Sequence, residues 1–152
     1  MKKKRNNQPK QITNRRAKFD YELSDSFVVG LELTGAETKA LRLGHGQLRG
    51  AYVTIKDNEL WLINAHISSS PGIPIEETAQ TRSRKLLAKR REINQLIQAK
   101  QQGLTIVPTS ILTHGRYIKL RISVGRGKKH YDKRESLKAK DQKRAVRAAL
   151  NN

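Results

Sequence analysis

Cysteine is absent from the 152-residue chain, which excludes disulfides and thiolate zinc sites and fits a reducing compartment. No run of ~18 apolar residues occurs, so nothing reads as a membrane span. Met1-Lys2-Lys3-Lys4-Arg5 has no apolar stretch behind it, so it does not read as a secretion signal. Acidic residues are scarce, 13 against 32 lysines and arginines, and the scarcity is uneven. Residues 1–18 hold eight cations and no acid, residues 125–152 hold ten cations and three acids, and the stretch between holds fourteen and ten. A nearly balanced globule is therefore flanked by two basic arms, a distribution that seeks polyanions because each neutralised phosphate releases counterions. Membrane surface is a poorer match, since residues 133–150 offer only Leu137, Val146 and Leu150 as large apolar anchors. A merely solvated tail is the remaining alternative.

Catalytic patterns are missing as well. His45, His66, His114 and His130 stand in separate segments without metal-ligand spacing, and Glu76-Glu77 lies in a loop rather than across a cleft. Gly125-Arg-Gly-Lys-Lys129 lacks the spacing and the strand-to-helix setting of a phosphate loop. The residues read as a binder without metal or cofactor, not an enzyme.

In chain order, residues 1–13 form a basic arm without apolar periodicity, expected to be disordered. Asn14-Arg15-Arg16-Ala17 then leads into Phe19 and Tyr21, rings able to anchor those cations on the core. Phe27–Leu33 alternates as a strand, and a short helix over Glu37–Leu43 follows, with Thr34 as cap and Gly44 as terminator. Ala51–Lys56 and Glu59–Ile63 alternate around Asp57-Asn58 as a β-hairpin whose Trp61 belongs to the sheet packing. A loop marked by Pro71, Gly72 and Pro74 covers 68–81. From Ser83 a long helix is expected to run to Gln102 and stop at Gly103, with Leu86, Leu87, Ile93, Leu96 and Ile97 on its inner face. Arg82, Arg84, Lys85, Lys89, Arg90 and Arg91 would crowd its positive end, where either a bound anion or solvation alone would offset them. Leu104–Leu112, a His114-Gly115 turn and Arg116–Val124 complete the core, with Ile118, Leu120, Ile122 and Val124 facing in and Tyr117, Lys119, Arg121 and Ser123 facing out, and Pro108 implies an edge or a bulge.

These segments make an α+β, mainly β, fold with an antiparallel sheet. The organisation is a basic arm over 1–13, a core over 14–126 and a basic tail over 127–152. Residues 135–150 are good helix formers with almost nothing to pack on; Lys133, Lys140, Arg144 and Arg147 share a helical face. A tail of this kind is expected to be disordered alone and helical in an RNA groove or channel.

The order of motifs resembles the SsrA-binding protein (small protein B, SmpB) family, partners of transfer-messenger RNA (tmRNA) in ribosome rescue. The similarity rests on Asn14-Arg-Arg-Ala17 with Tyr21 and on Leu33-Thr-Gly-Ala-Glu-Thr-Lys-Ala-Leu-Arg42 with Gly44. It continues through Arg82-Ser-Arg-Lys-Leu-Leu87, Arg91-Glu-Ile93, Gly103-Leu-Thr-Ile-Val-Pro108 and Gly127-Lys-Lys-His-Tyr-Asp-Lys-Arg134. The resemblance implies a small antiparallel barrel of oligonucleotide-binding (OB) type with accessory helices, monomeric in its complex and cytoplasmic. It implies that the barrel holds the tRNA-like domain of tmRNA, with Asn14, Arg15, Arg16, Lys39, Arg42, Arg82, Arg84, Lys85 and Leu87 as binding residues. It further implies that the tail enters the empty decoding site and messenger channel of a stalled ribosome. There Gly127, Lys128, Lys129, Tyr131, Asp132, Lys133 and Arg134 would meet small-subunit RNA, Tyr131 by stacking on a base and the cations at phosphates. The family's acid after the first-strand phenylalanine is Val28 here, and its His or Asn two residues beyond Arg-Lys-Leu-Leu is Lys89, so neither position carries over. A basic structural ribosomal protein, or a general RNA-binding protein, is the rival reading of the same composition.

Overall fold

The structure, a computed structural model, describes residues 11–151, apart from the side chains of His130, Tyr131 and Asp132. Most of the expected 1–13 arm thus lies outside the described residues. Its last part is not free chain: Ile12–Thr13 is a strand, β1, and Ile12 is buried in the core opposite Ile111. The chain continues as α1 (Arg15–Asp20), β2 (Tyr21–Leu31), α2 (Gly35–Arg42), β3 (Gly46–Gln47), β4 (Tyr52–Lys56), β5 (Glu59–Ile63) and β6 (His66–Ile67). After a 3-10 turn at Glu77–Ala79 come β7 (Arg84–Leu87), α3 (Arg90–Gln101), β8 (Thr105–Leu112), β9 (Lys119–Gly127) and α4 (His130–Leu150).

Seven strands pair in the order β1-β8-β9-β2-β7-β5-β4, every pairing antiparallel. Twist curls this sheet until β4 comes against β8, giving a small barrel of OB-like type with helices around it. Alternation explains the inner lining: Leu120, Ile122 and Val124 of β9, Leu60 and Leu62 of β5, and Ile106 and Ile111 of β8 fill the interior. The β4–β5 turn has both Asp57 and Asn58 at positive φ, the type I′ geometry that suits the right-handed twist of a hairpin and that these two residue types tolerate. Gly44, at φ +86°, follows α2 where a left-handed residue is needed. At the N-terminus of α2 the Thr34 hydroxyl accepts from the Glu37 amide while the Glu37 carboxylate accepts from the Thr34 amide.

Two irregularities shape the outer face. The β8–β9 register shifts between Pro108 and Ser110, as a proline without a donor requires. Carbonyls released there are taken by Asn14, whose backbone amide donates to Thr109 O (2.8 Å) and whose side-chain amide donates to Pro108 O (2.9 Å), seating α1 on the bulge. The β2–β9 register shifts between Leu23 and Ser26, and the Ser24 hydroxyl donates to Val124 O.

Two expectations are corrected. The helix expected from Ser83 to Gln102 is two elements: Arg84–Leu87 is a strand between β2 and β5, and only Arg90–Gln101 is helical. Leu86 and Leu87 therefore point to opposite faces, one buried and one exposed, rather than sharing a stripe. Strand partners on both sides override the helix propensity of Arg-Lys-Leu-Leu-Ala-Lys. Half of the cations assigned to the positive end of that helix are consequently elsewhere. Second, Gly127, expected to open the tail, is the end of β9, where Gly125, Arg126 and Gly127 pair with Leu23, Glu22 and Tyr21. A Cβ on Gly125 would lie 3.0–3.3 Å from Leu23 Cδ2, Tyr21 Cβ and Glu22 O, so the glycine permits the close strand approach. The tail itself runs as a helix over His130–Leu150, with its base held on α1. That docking uses Asp20 and Phe19, which only the folded chain brings to it.

Candidate nucleic-acid interface

The nine barrel residues implied by resemblance do not form one patch. Asn14, Arg15 and Arg16 belong to α1 and its cap; Lys39 and Arg42 lie on α2; Arg82, Arg84, Lys85 and Leu87 run along and before β7. Their burial and partners separate surface groups from structural ones.

Arg84 is the clearest structural member. It is 0% exposed, and its guanidinium uses all three nitrogens. Nε donates to a Glu37 carboxylate oxygen, Nη1 to Ala65 O (2.8 Å) and Arg82 O (3.1 Å), and Nη2 to Ala79 O (3.2 Å) and Gln80 O (3.0 Å). Arg82 reaches the other oxygen of Glu37, itself only 2% exposed. Glu37 is thus a junction: it caps α2, neutralises Arg84 and holds Arg82. Burial alone would raise its carboxyl pKa, but the Arg82 hydrogen bond, the Thr34 amide and Arg84 outweigh it and keep the group below its ordinary value. Burial pulls the Arg84 guanidinium below the usual arginine value, opposed by Glu37. An enclosed guanidinium of this kind is closed to solvent, and Arg84 positions β7 and the 79–82 turn.

Arg42 also has internal duties. Its guanidinium donates to the carbonyls of Thr113, Gly115 and Arg116 at 3.0–3.2 Å, tying α2 to the β8–β9 turn while its surface stays open to solvent. Asn14 is occupied at the β8 bulge. Arg16 stacks 4.8 Å above the Phe19 ring and pairs with Asp20 (3.5 Å). Arg15 and Lys39 are exposed and carry no side-chain partner among the described residues.

Lys85 and Leu87 come together with residues the motifs did not nominate. Val28, Leu87, Lys89 and Lys119 surround a shallow cleft of about 520 Å³ on the outer sheet face, with Lys85 paired to Glu59 at its edge (3.0 Å). Val28 is 44% exposed and Leu87 53% exposed, unusual for apolar side chains of this size. Gly30 lets Leu87 lie across β2, since a Cβ there would come within 3.1 Å of the Leu87 Cβ. Glu59 and Glu92 also line the cleft, but among the described residues Lys89 and Lys119 have no acid partner, so apolar anchors beside two available cations form a surface that can seat the sugar edges of a nucleic acid and meet its phosphates. Lys119 was legible in the sequence as the outward residue of the last strand; that it faces Leu87 was not, because the two meet only through β2.

The tail residues begin on the globule. Gly127 closes β9 opposite Tyr21, the Lys128 amide donates to Asp20 O (2.9 Å), and Lys128 Nζ donates to the Ser136 hydroxyl (3.2 Å). Lys129 is the N-cap of α4; Lys133 pairs with Asp20 (3.3 Å) and sits 5.9 Å above Phe19; Arg134 is exposed. Tyr131 and Asp132 lie in the first turn of α4, with side chains outside the described residues. From Leu137 onward every described residue of the helix is exposed. No group of three or more potential metal ligands occurs among the described residues, and none of their helices is long and apolar enough to cross a membrane.

Comparison with known proteins gives a consistent answer. A family model described as SmpB protein matches residues 11–152. An SsrA-binding protein of Trichormus variabilis is 42% identical over 146 residues, covering 91% of both chains. One of Gloeothece citriformis is 42% identical over 153 residues, covering 95% of this chain and 96% of the other. A solved chain described under "tmRNA-SmpB: a journey to the center of the bacterial ribosome" superposes with a TM-score of 0.65 at 35% identity, covering 79% of this chain and 85% of that one.

Proposed function

The chain belongs to the SmpB protein family, and from that premise we propose that it is an RNA-binding adaptor, not an enzyme. It holds the tRNA-like domain of tmRNA and brings it to stalled ribosomes in the cytoplasm, for trans-translation. The observation that carries this reading is the match over residues 11–152, which spans the barrel and the C-terminal helix alike. Two features of the fold support it: an apolar and basic face around Leu87, and a cationic helix leaving the barrel from a defined point.

The division of labour follows the geometry. Lys85 and Leu87, with Lys119 beside them, receive the tRNA-like domain; Lys39, Arg15 and the outer edges of Arg16, Arg42 and Arg82 add phosphate contacts. Arg84 and Asn14 act through the fold. Lys128, Lys129, Tyr131, Asp132, Lys133 and Arg134 serve the decoding site, and Gly127 sets where the helix begins. Beyond Lys140 the helix has only its own hydrogen bonds to hold it, so its helicity in the free chain is low and rises in the messenger channel. Strong helicity of a 128–152 peptide both with and without RNA, by circular dichroism, would contradict that last step.

RNA recovered with the full-length protein from cells tests the adaptor role: tmRNA should be enriched above ribosomal RNA and bulk tRNA. Deleting residues 128–152 should leave most of the tmRNA affinity in place while abolishing tagging on stalled ribosomes. Recovery of only bulk ribosomal RNA, retained in high salt, would favour a structural ribosomal protein instead.

A further inference from the structure

A second cleft, of about 790 Å³, lies between α1, the outer face of β2, β9 and β8, and the base of α4. Its size falls in the range of binding pockets, about 300–1,000 Å³. Among the described residues five cations line it, Arg15, Lys18, Arg121, Lys128 and Lys140, and no acid does. Among the described residues only Lys128 of these five has a side-chain partner, the Ser136 hydroxyl. Four unpaired cations around one concavity raise the local positive potential, a cost that an anion in the cleft removes.

Hydroxyls are concentrated in the same place. Ser26 and Ser123 share a hydrogen bond of 2.9 Å across β2 and β9; with buried Ser123 as donor, the exposed Ser26 hydroxyl keeps its proton for a ligand. Among the described residues the only ring in the wall is Phe19, already covered by Arg16 at 4.8 Å and Lys133 at 5.9 Å. Hydroxyls and cations without a free stacking surface suit phosphate oxygens and not bases.

We propose that this cleft binds a short run of RNA sugar-phosphate backbone, clamped between the barrel and the C-terminal helix. The inference rests on the adaptor reading but concerns a different surface from the one around Leu87. One wall, Lys128 and Lys140, belongs to the tail, so filling the cleft and docking the helix are linked: each favours the other. Asp20 is the positioning residue of that wall. Its carbonyl accepts from the Lys128 amide, and its carboxylate pairs with Lys133 of α4 and Arg16 of α1. Partial exposure makes these pairs weak, which suits a wall that closes on a ligand.

The test uses the full-length protein and two RNA partners measured separately, the tRNA-like domain of tmRNA and vacant small ribosomal subunits. Lys18→Gln removes a cation from the barrel wall and Lys140→Gln one from the tail wall. With one partner, each should lower the slope of log affinity against log salt by about 0.7–0.9 and the pair by about twice that. The partner that responds identifies whose backbone fills the cleft. A Ser26→Ala, Ser123→Ala variant should weaken the same partner 3- to 10-fold with its slope unchanged, because neutral donors release no counterions. Asp20→Asn should reproduce the affinity loss of Lys140→Gln without changing the Lys18 effect. Unchanged slopes with both partners, in variants whose circular dichroism matches the parent, would overturn the cleft. Failure of the parent protein itself to prefer the tRNA-like domain over bulk tRNA would instead overturn the adaptor reading.

Discussion

Changing Glu37 to alanine leaves Arg84 charged, 0% exposed and without its counterion. Breaking a buried ion pair by removing one partner costs about 3–5 kcal/mol, and the same change removes half of the α2 capping box. Against a total stability of about 5–15 kcal/mol, this is a large fraction. With a urea slope of about 1.5–2 kcal/mol/M, the unfolding midpoint should fall by roughly 2 M. Arg84→Lys keeps a charge but has three donors on one nitrogen, which cannot reach Glu37, Ala65 and Gln80 together. It should cost about 2–4 kcal/mol, as two or more bonds of a charged donor are lost. A Glu37→Ala, Arg84→Ala double variant should be less destabilised than the sum of the single changes, by more than about 1 kcal/mol, because the second change removes the charge the first had stranded. For RNA binding the same geometry makes a sharper claim: at a temperature where Arg84→Lys remains folded, the salt slope for tmRNA should equal that of the parent. A slope lowered by about one, in a variant of parental stability, would mean that Arg84 meets a phosphate and that the enclosed geometry is wrong.

Acid should find the same junction. The folded Glu37 carboxyl lies below its ordinary value of 4.5, so its contribution is complete above that value and is lost as pH falls through the folded pKa. Glu37→Gln should therefore lower stability at pH 7 and flatten its decline below pH 4.5, as read by urea midpoints across pH 2–7. Asn14→Ala removes the amide that serves Pro108 O but not the backbone bond to Thr109 O. It should cost about 0.5–1.5 kcal/mol and speed amide exchange in α1, with the tmRNA salt slope unchanged. Gly125→Val would press a branched side chain against Tyr21 Cβ and Glu22 O. A loss of at least about 1–3 kcal/mol should appear in thermal unfolding, together with weaker docking of α4, because β9 leads directly into it.

Local signals were legible wherever a short stretch contained its own reason. Thr34 with Glu37, Gly44 after α2, the Asp57-Asn58 turn and the Pro108 bulge were all readable, because caps, turns and missing donors act over a few residues. The alternation of β9 marked which residues face inward. Arg84–Leu87 was misread as helix for the complementary reason. Its residue types favour a helix, and only the flanking β2 and β5, distant in sequence, make it a strand. The candidate site divides in the same way. Motif positions led to Lys85, Leu87 and the tail cations, but could not distinguish Arg84, sealed against Glu37, from Arg15, open to solvent.

By itself the sequence determined the sign and placement of charge: a near-neutral body between two basic ends, with a cationic segment after the last strand. Charge is a property of composition and survives any fold. Which cations are free to meet a phosphate was decided only by tertiary structure, through carboxylates brought from elsewhere in the chain. Glu37 meets Arg84 across 47 positions, and Asp20 reaches Lys133 only because β9 runs antiparallel to β2 and returns the chain to α1. The direction in which α4 leaves the barrel follows from that return, since a charged helix with no apolar face has no other means of choosing where to dock.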